Sequence, residues 1–180
     1  MPKLVRTTLE AAAAASLFGC SSPTDATSTS AEVTLSATPD PANAEPSSGV
    51  TYILQGDTNN PDQTLVYPFQ ASFTLNMAET TGESVDITSI SLKVQQATGG
   101  IITPPTNGQV EHYQFVSSAS ANTLPGKGQT SVGFTVWYAL PNLRRDCVAT
   151  VGVVFVDRKG TPTDTSDDVS FSKTLDVQIQ

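Results

Sequence analysis

Apolar and polar residues alternate with a period of two through much of this chain. The alternation is cleanest at Ala71, Phe73, Leu75 and Met77 against Ser72, Thr74 and Asn76. A strand sends successive side chains to opposite faces, so the pattern predicts one face in a core and the other in water. The same period returns at Val132, Phe134, Val136 and Tyr138, and again at Val151, Val153 and Phe155. Near the end, Phe171, Leu175, Val177 and Ile179 alternate with Ser172, Thr174, Asp176 and Gln178. From Val151 to Val156 both faces are apolar, as expected of a central strand. Val85 and Ile87 are followed by Ile90, Leu92 and Val94, and this odd step predicts a bulge near Thr88-Ser89 or a break between two strands. Gln109 to Val116 predicts a further strand, with Val110, His112 and Gln114 on one side and Tyr113 and Phe115 on the other.

Shorter signals fill the gaps. Val33 to Ser36 predicts an edge strand ended by Pro39 and Pro41, and Val50 to Leu54 a short strand within a Pro-, Ser- and Asn-rich loop. Gly99-Gly100 and Pro104-Pro105 bracket a loop that holds Ile101 and Ile102. Pro125-Gly126-Lys127-Gly128 is a turn, and Asp157-Arg158-Lys159-Gly160 begins the loop to the last strand. Seven or eight strands at regular spacing, with no helical period after Cys20, predict an all-β fold: a single antiparallel β-sandwich over residues 32–180. The pattern resembles the immunoglobulin-like and fibronectin-type-III-like modules of bacterial surface proteins, although the Cys…Trp…Cys signature of antibody domains is absent. The chain stops inside its last strand, which implies that nothing follows the domain.

The beginning of the chain has a different character. Lys3 and Arg6 precede an apolar run from Ala11 to Phe18, and the small residue Gly19 stands directly before Cys20. These are the parts of a secretory signal, and the run is shorter than the roughly 20 apolar residues a membrane-spanning helix needs. Leu17-Phe18-Gly19-Cys20 resembles the lipobox of bacterial lipoproteins. That resemblance implies that the Cys20 thiol receives a diacylglycerol, that the Gly19–Cys20 bond is cut, and that the new amino terminus is acylated. Residues 1–19 would then be the signal peptide, and 20–31 a flexible tether whose Ser21 to Ala31 contain no aliphatic side chain larger than alanine. Several acyl chains, at about 0.8 kcal/mol per buried methylene, would hold the protein on a membrane surface. The expected location is outside the cytoplasm, anchored to the cell membrane or outer membrane by this lipid.

Composition narrows the functions available. Charged residues make up 14% of the 180, while Ser and Thr together number 44, a balance that suits exposed sheet surfaces better than helices. The 161 residues from Cys20 onward suffice for one domain with a core and carry a net charge of −9. With no basic patch, nucleic acid is not an expected partner. An acylated Cys20 would leave Cys147, the only other cysteine, without a disulfide partner.

Candidate chemistry is sparse. His112 is the only histidine and reads as a partly exposed strand residue; no Gly-x-Ser-x-Gly elbow accompanies it for a catalytic triad. His and Cys ligands for zinc are lacking, and Gly126-Lys127-Gly128 has no P-loop spacer. Two acidic loops offer hard oxygen ligands for calcium: Asp57, Asn59, Asn60 and Asp62, and Asp157, Asp164, Asp167 and Asp168. Solvated turn residues are the better reading of both, and no metal or cofactor is expected. Cys147 reads as a small buried residue at a strand start, the alternative being a thiol activated by Arg144 and Arg145. If Tyr138 points inward, Trp137 points outward, to stack on a sugar or a partner protein, or to lie under a loop or the second sheet. The expected function is therefore a lipid-anchored module that binds or spaces without catalysis, its partner at the cell surface a protein or glycan. The alternative is a small carbohydrate-binding protein using Trp137 and loop tyrosines, or a hydrolase using two carboxylates.

Overall fold

A computed structural model describes residues 30–54, 58, 61–98, 101–102, 112–118, 121–140, 143–160 and 163–180. The signal, Cys20 and nearly all of the tether lie outside the described residues, as do Asp57, Asn59, Asn60 and Val110. The described chain is all-β, with antiparallel sheets in a sandwich-like arrangement.

One sheet is built on β5 (Phe69–Glu79), whose alternating residues bury every second side chain. The segment β1 (Val33–Thr38) pairs with one edge of β5, followed along the same edge by β2 (Ala44–Pro46). On the other side β5 pairs with β10 (Gln129–Ala139), which in turn pairs with β8 (His112–Ser117). The opposing sheet is centred on β11 (Cys147–Asp157), flanked by β12 (Val169–Ile179) and by β6 (Val85–Thr98). Two-residue strands β7 (Ile101–Ile102) and β9 (Thr123–Leu124) extend β6. A separate hairpin joins β3 (Thr51–Leu54) to β4 (Gln63–Val66).

The inward rows of both sheets merge into one core, to which β10 contributes Val132, Phe134, Val136 and Tyr138, and β11 contributes Ala149, Val151, Val153 and Phe155. Phe73 stacks on Phe134 at 5.3 Å between ring centres and Phe155 on Phe171 at the same distance, within the range where aromatic pairs add to simple burial. Between the sheets, Ala42 accepts a hydrogen bond from the Gln180 amide and donates one to Gln178, tying the first edge strand's segment to the last strand.

The odd step near Thr88 is a bulge within one continuous strand. Ser89 lies opposite Val154 and Ile87 opposite Phe155, leaving Thr88 as the extra residue, with its hydroxyl donating to the Val154 carbonyl at 3.2 Å. One inserted residue restores the period, so Ile87 and Ile90 both pack against the core. At the edge, β12 carries exposed Lys173 in the same row as Phe171 and Leu175, a charge that discourages pairing with a further strand.

Twelve strands among the described residues exceed the expected seven or eight. The additions are β2, β4, β7 and β9, two to four residues each, too short to display an alternation. Ile101 and Ile102, expected in a loop, pair with Ala97 and Thr98.

Candidate functional site

Three regions stand out: the pole where the described chain begins, the outward face of the β5 sheet, and the opposite pole around Tyr138.

At the first pole, two carboxylates follow the inward rows of their strands. Glu79 is the next inward residue after Phe73, Leu75 and Met77, and Asp157 follows Val151, Val153 and Phe155; they are 3% and 2% exposed. Burial of an ionised carboxylate costs several kcal/mol unless donors surround it. For Glu79 they do. Oε1 accepts the Glu32 amide at 3.2 Å, the Thr81 amide at 2.9 Å and the Thr81 hydroxyl, while Oε2 accepts the Gly82 amide at 2.7 Å and the Lys127 amide at 2.9 Å. Burial alone would raise its pKa, but these bonds from Thr81, Lys127 and Gly82 outweigh it and hold the group well below the ordinary carboxylate range.

Asp157 repeats the arrangement on the other sheet. Its Oδ2 accepts the Ala31 amide at 3.0 Å and Lys159 Nζ at 2.8 Å, and its Oδ1 accepts the Lys159 amide at 2.9 Å. Again burial opposes ionisation, and the bonds from Lys159 and Ala31 overcome it, lowering the pKa. Lys127 and Lys159, whose amides serve these carboxylates, both adopt left-handed backbone, at φ 53° and 51°. Such strain persists only where the surroundings over-determine it. Consecutive residues Ala31 and Glu32 are thus bonded to carboxylates from the ends of β11 and β5, one in each sheet.

Among the described acidic residues considered for calcium, Asp157, Asp164 and Asp168 each hold protein donors. Asp168 pairs with Arg158 Nη1 at 3.0 Å, and Asp86 with Arg158 Nε at 2.7 Å. Asp164 accepts the amide and hydroxyl of Ser166. Among the described residues, no three His, Cys, Asp or Glu side chains come together in a way that would hold a metal.

The outward face of the β5 sheet presents Thr34, Ser36 and Thr38 from β1, and Ser72, Thr74 and Asn76 from β5. Beside them lie Ser131, Gly133 and Thr135 from β10. The outward positions of β1, β5, β10 and β8 include no Asp, Glu, Lys or Arg; Glu45 of β2 stands at the rim, opposite Gln70. Cross-strand bonds hold the hydroxyls: Ser72 with Thr135 at 3.1 Å, and Asn76 Nδ2 donating to Thr38 at 3.2 Å. Trp137 faces outward at one end of this face, half-buried, and its indole N–H donates to Gln70 Oε1 at 3.0 Å. Ser48 donates to the same oxygen at 3.2 Å. The face holds a shallow groove of about 550 Å³ crossing Thr38, Thr74, Gly133 and Val116, and another of about 250 Å³ between Ser36, Asn76 and Ser131.

At the opposite pole, Tyr138 is fully buried and donates to the Arg145 carbonyl at 2.6 Å, while the Arg145 guanidinium donates to the Ala44 carbonyl. Burial, with the Cys147 thiol alongside, pushes the Tyr138 phenol well above its ordinary pKa. Cys147 is buried at the start of β11, consistent with its reading as a small core residue. Tyr138→Phe should cost about 1 kcal/mol, the usual net worth of such a bond, read as a lower urea midpoint with an unchanged slope.

Of the remaining candidates, His112 opens β8 opposite Ala139, its side chain lying outside the described residues. Tyr67 is buried and packs its ring 4.6 Å from that of half-buried Tyr52, which takes Tyr67 out of reach of a surface ligand. Sequence reasoning missed Glu79, although its place in the inward row was visible. Compared with protein-family models, curated proteins and solved structures, the chain matches none.

Proposed function

We propose that the protein is a lipid-anchored component of a bacterial cell envelope, whose immunoglobulin-like sandwich binds or spaces at the cell surface and performs no catalysis. The observation that carries the anchor is Leu17-Phe18-Gly19-Cys20 at the end of a short apolar run, followed by a small-residue segment leading to β1. The immunoglobulin-like type is supported by strand order. With β1, β5, β6, β8, β10, β11 and β12 lettered A to G, one sheet reads A-B-E-D and the other G-F-C, the arrangement of a seven-stranded constant-type domain. The clamp on Ala31 and Glu32 suits a tethered module, because a pull along the tether meets hydrogen bonds to both sheets. A non-catalytic role is supported by the engagement of the two buried carboxylates with backbone amides at the base of the fold.

Detergent-phase partitioning with intact mass tests the anchor. The wild type should enter the detergent phase with the mass of an acylated chain starting at Cys20, and Cys20→Ala should remain aqueous. A water-soluble wild type of full-length mass would remove the anchor.

A further inference from the structure

We propose that the outward face of the β5 sheet binds a neutral polysaccharide, with Gly133 forming the floor of the site and Trp137 its stacking end. This rests on the reading of the domain as a binding module and names the ligand class.

Gly133 is the observation that leads to it. Glycine inside a strand is less favourable than alanine and demands a reason. At Gly152 the reason is steric, since an added Cβ would come within 2.8 Å of Ser91 Oγ. At Gly133 the steric demand is weaker, although Ser118 lies against its backbone: the Gly133 amide donates to Ser118 Oγ at 2.8 Å and its carbonyl accepts the Ser118 amide at 2.9 Å. Its φ is not positive, and an added Cβ would meet only Ser118 Oγ at 3.7 Å, an ordinary contact. Glycine in a strand without backbone need marks a place where something approaches closely. Gly133 lies in the larger groove, and a side chain there would rise into it.

The chemistry around the groove selects the ligand. Neighbouring strands lie about 4.8 Å apart and alternate residues about 7 Å apart along each strand, so hydroxyl and amide groups form a regular grid. Ser72, Thr135, Asn76 and Thr38 are already oriented by bonds to one another, which lowers the entropy lost when a ligand binds. With no Lys or Arg in these rows, phosphate and sulfate have no counter-charge, and nucleic acid is excluded on the same ground. A protein partner would want aromatic, Met or Arg anchors at the centre of the patch, where this face has Ser and Thr. A neutral polyol matches both donors and acceptors without charge. The Trp137 indole, fixed by Gln70, supplies the apolar surface against which a sugar ring stacks.

The test is calorimetric titration of the purified full-length protein with cellohexaose, laminarihexaose, maltohexaose and xylohexaose, with heparin and polygalacturonate as anionic controls. At least one neutral hexasaccharide should bind, and Gly133→Val should weaken it about tenfold or more by filling the floor. Because valine favours strands, the melting temperature of this variant should hold or rise, which separates a ligand role from a structural one. Thr135→Val, close in shape and strand-favouring, should also weaken binding, whereas Thr174→Val on the outward face of the other sheet should leave it unchanged. Failure of all four neutral sugars to bind, equal affinity in Gly133→Val and Thr135→Val, or binding of the anionic controls alone would overturn the proposal. Mass and detergent partitioning of the same preparation keep the two readings separate: an acylated protein that binds no sugar loses the site and keeps the anchor.

Discussion

Phe155→Ala should lower folding stability by about 3–5 kcal/mol, the usual range for deleting a buried aromatic side chain. Phe155 is 0% exposed, stacks on Phe171, and sits on β11, which is hydrogen-bonded along its whole length to a long strand on each side. Its position opposite the bulge matters as well. Ile87 pairs with Phe155 directly beside the extra residue Thr88, where the register shifts. A cavity there cannot close by simple strand movement without disturbing the pairing on both sides, which puts the expected cost in the upper half of the range. For a domain of this size the melting temperature should fall by about 10 °C or more. Phe171→Ala, at a half-buried edge position, should cost clearly less. Urea denaturation of both variants checks this, and a Phe155→Ala cost below that of Phe171→Ala would contradict the packing described.

Glu79→Ala should cost about 3 kcal/mol, and stability should lose much of its dependence on acid pH. Truncation leaves the amides of Glu32, Thr81, Gly82 and Lys127 without their acceptor at once. Each buried donor stranded in this way costs about 1–3 kcal/mol, reduced here because the turn segments can take up water. The pH dependence follows from the direction of the shift. The folded pKa lies below the ordinary value of 4.5, so the folded state favours the ionised form. The resulting stability is fully present above the unfolded pKa and is lost progressively as pH falls through it toward the folded value. Asp157, lowered from 3.8, acts in the same direction. Urea midpoints measured between about pH 7 and pH 2.5 should therefore fall steeply below about pH 4.5 in the wild type and less steeply in Glu79→Gln. Equal slopes would mean that Glu79 is not held ionised by its amides.

These two residues also mark the boundary between what was legible in the chain and what was not. Alternation alone identified the inward rows of β5, β10, β11 and β12, because solvent on one face and a core on the other impose a period of two on composition. The interrupted period at Ile87 and Ile90 pointed to a bulge near Thr88-Ser89 or a break between strands, and the strand pairing decided for the bulge. Trp137 was legible as outward-facing from its neighbour Tyr138.

The partners were not legible. Alternation tells which face a residue occupies and says nothing of which strand lies beside it, so the pairing of β5 with β1 and β10 rather than with adjacent β6 was decided by the assembled sheets. Glu79 and Asp157 occupy inward positions that in isolation argue against a carboxylate. Their burial is made favourable by donors as far as 48 and 126 residues away in sequence. Gly133 and Gly152 look alike as strand glycines, and only the distance from each to its cross-strand serine separates them. Alternation marked most of the apolar residues that face the core. What each one meets there was set by the assembled sheets, because contacts between distant segments leave no periodic trace in the chain.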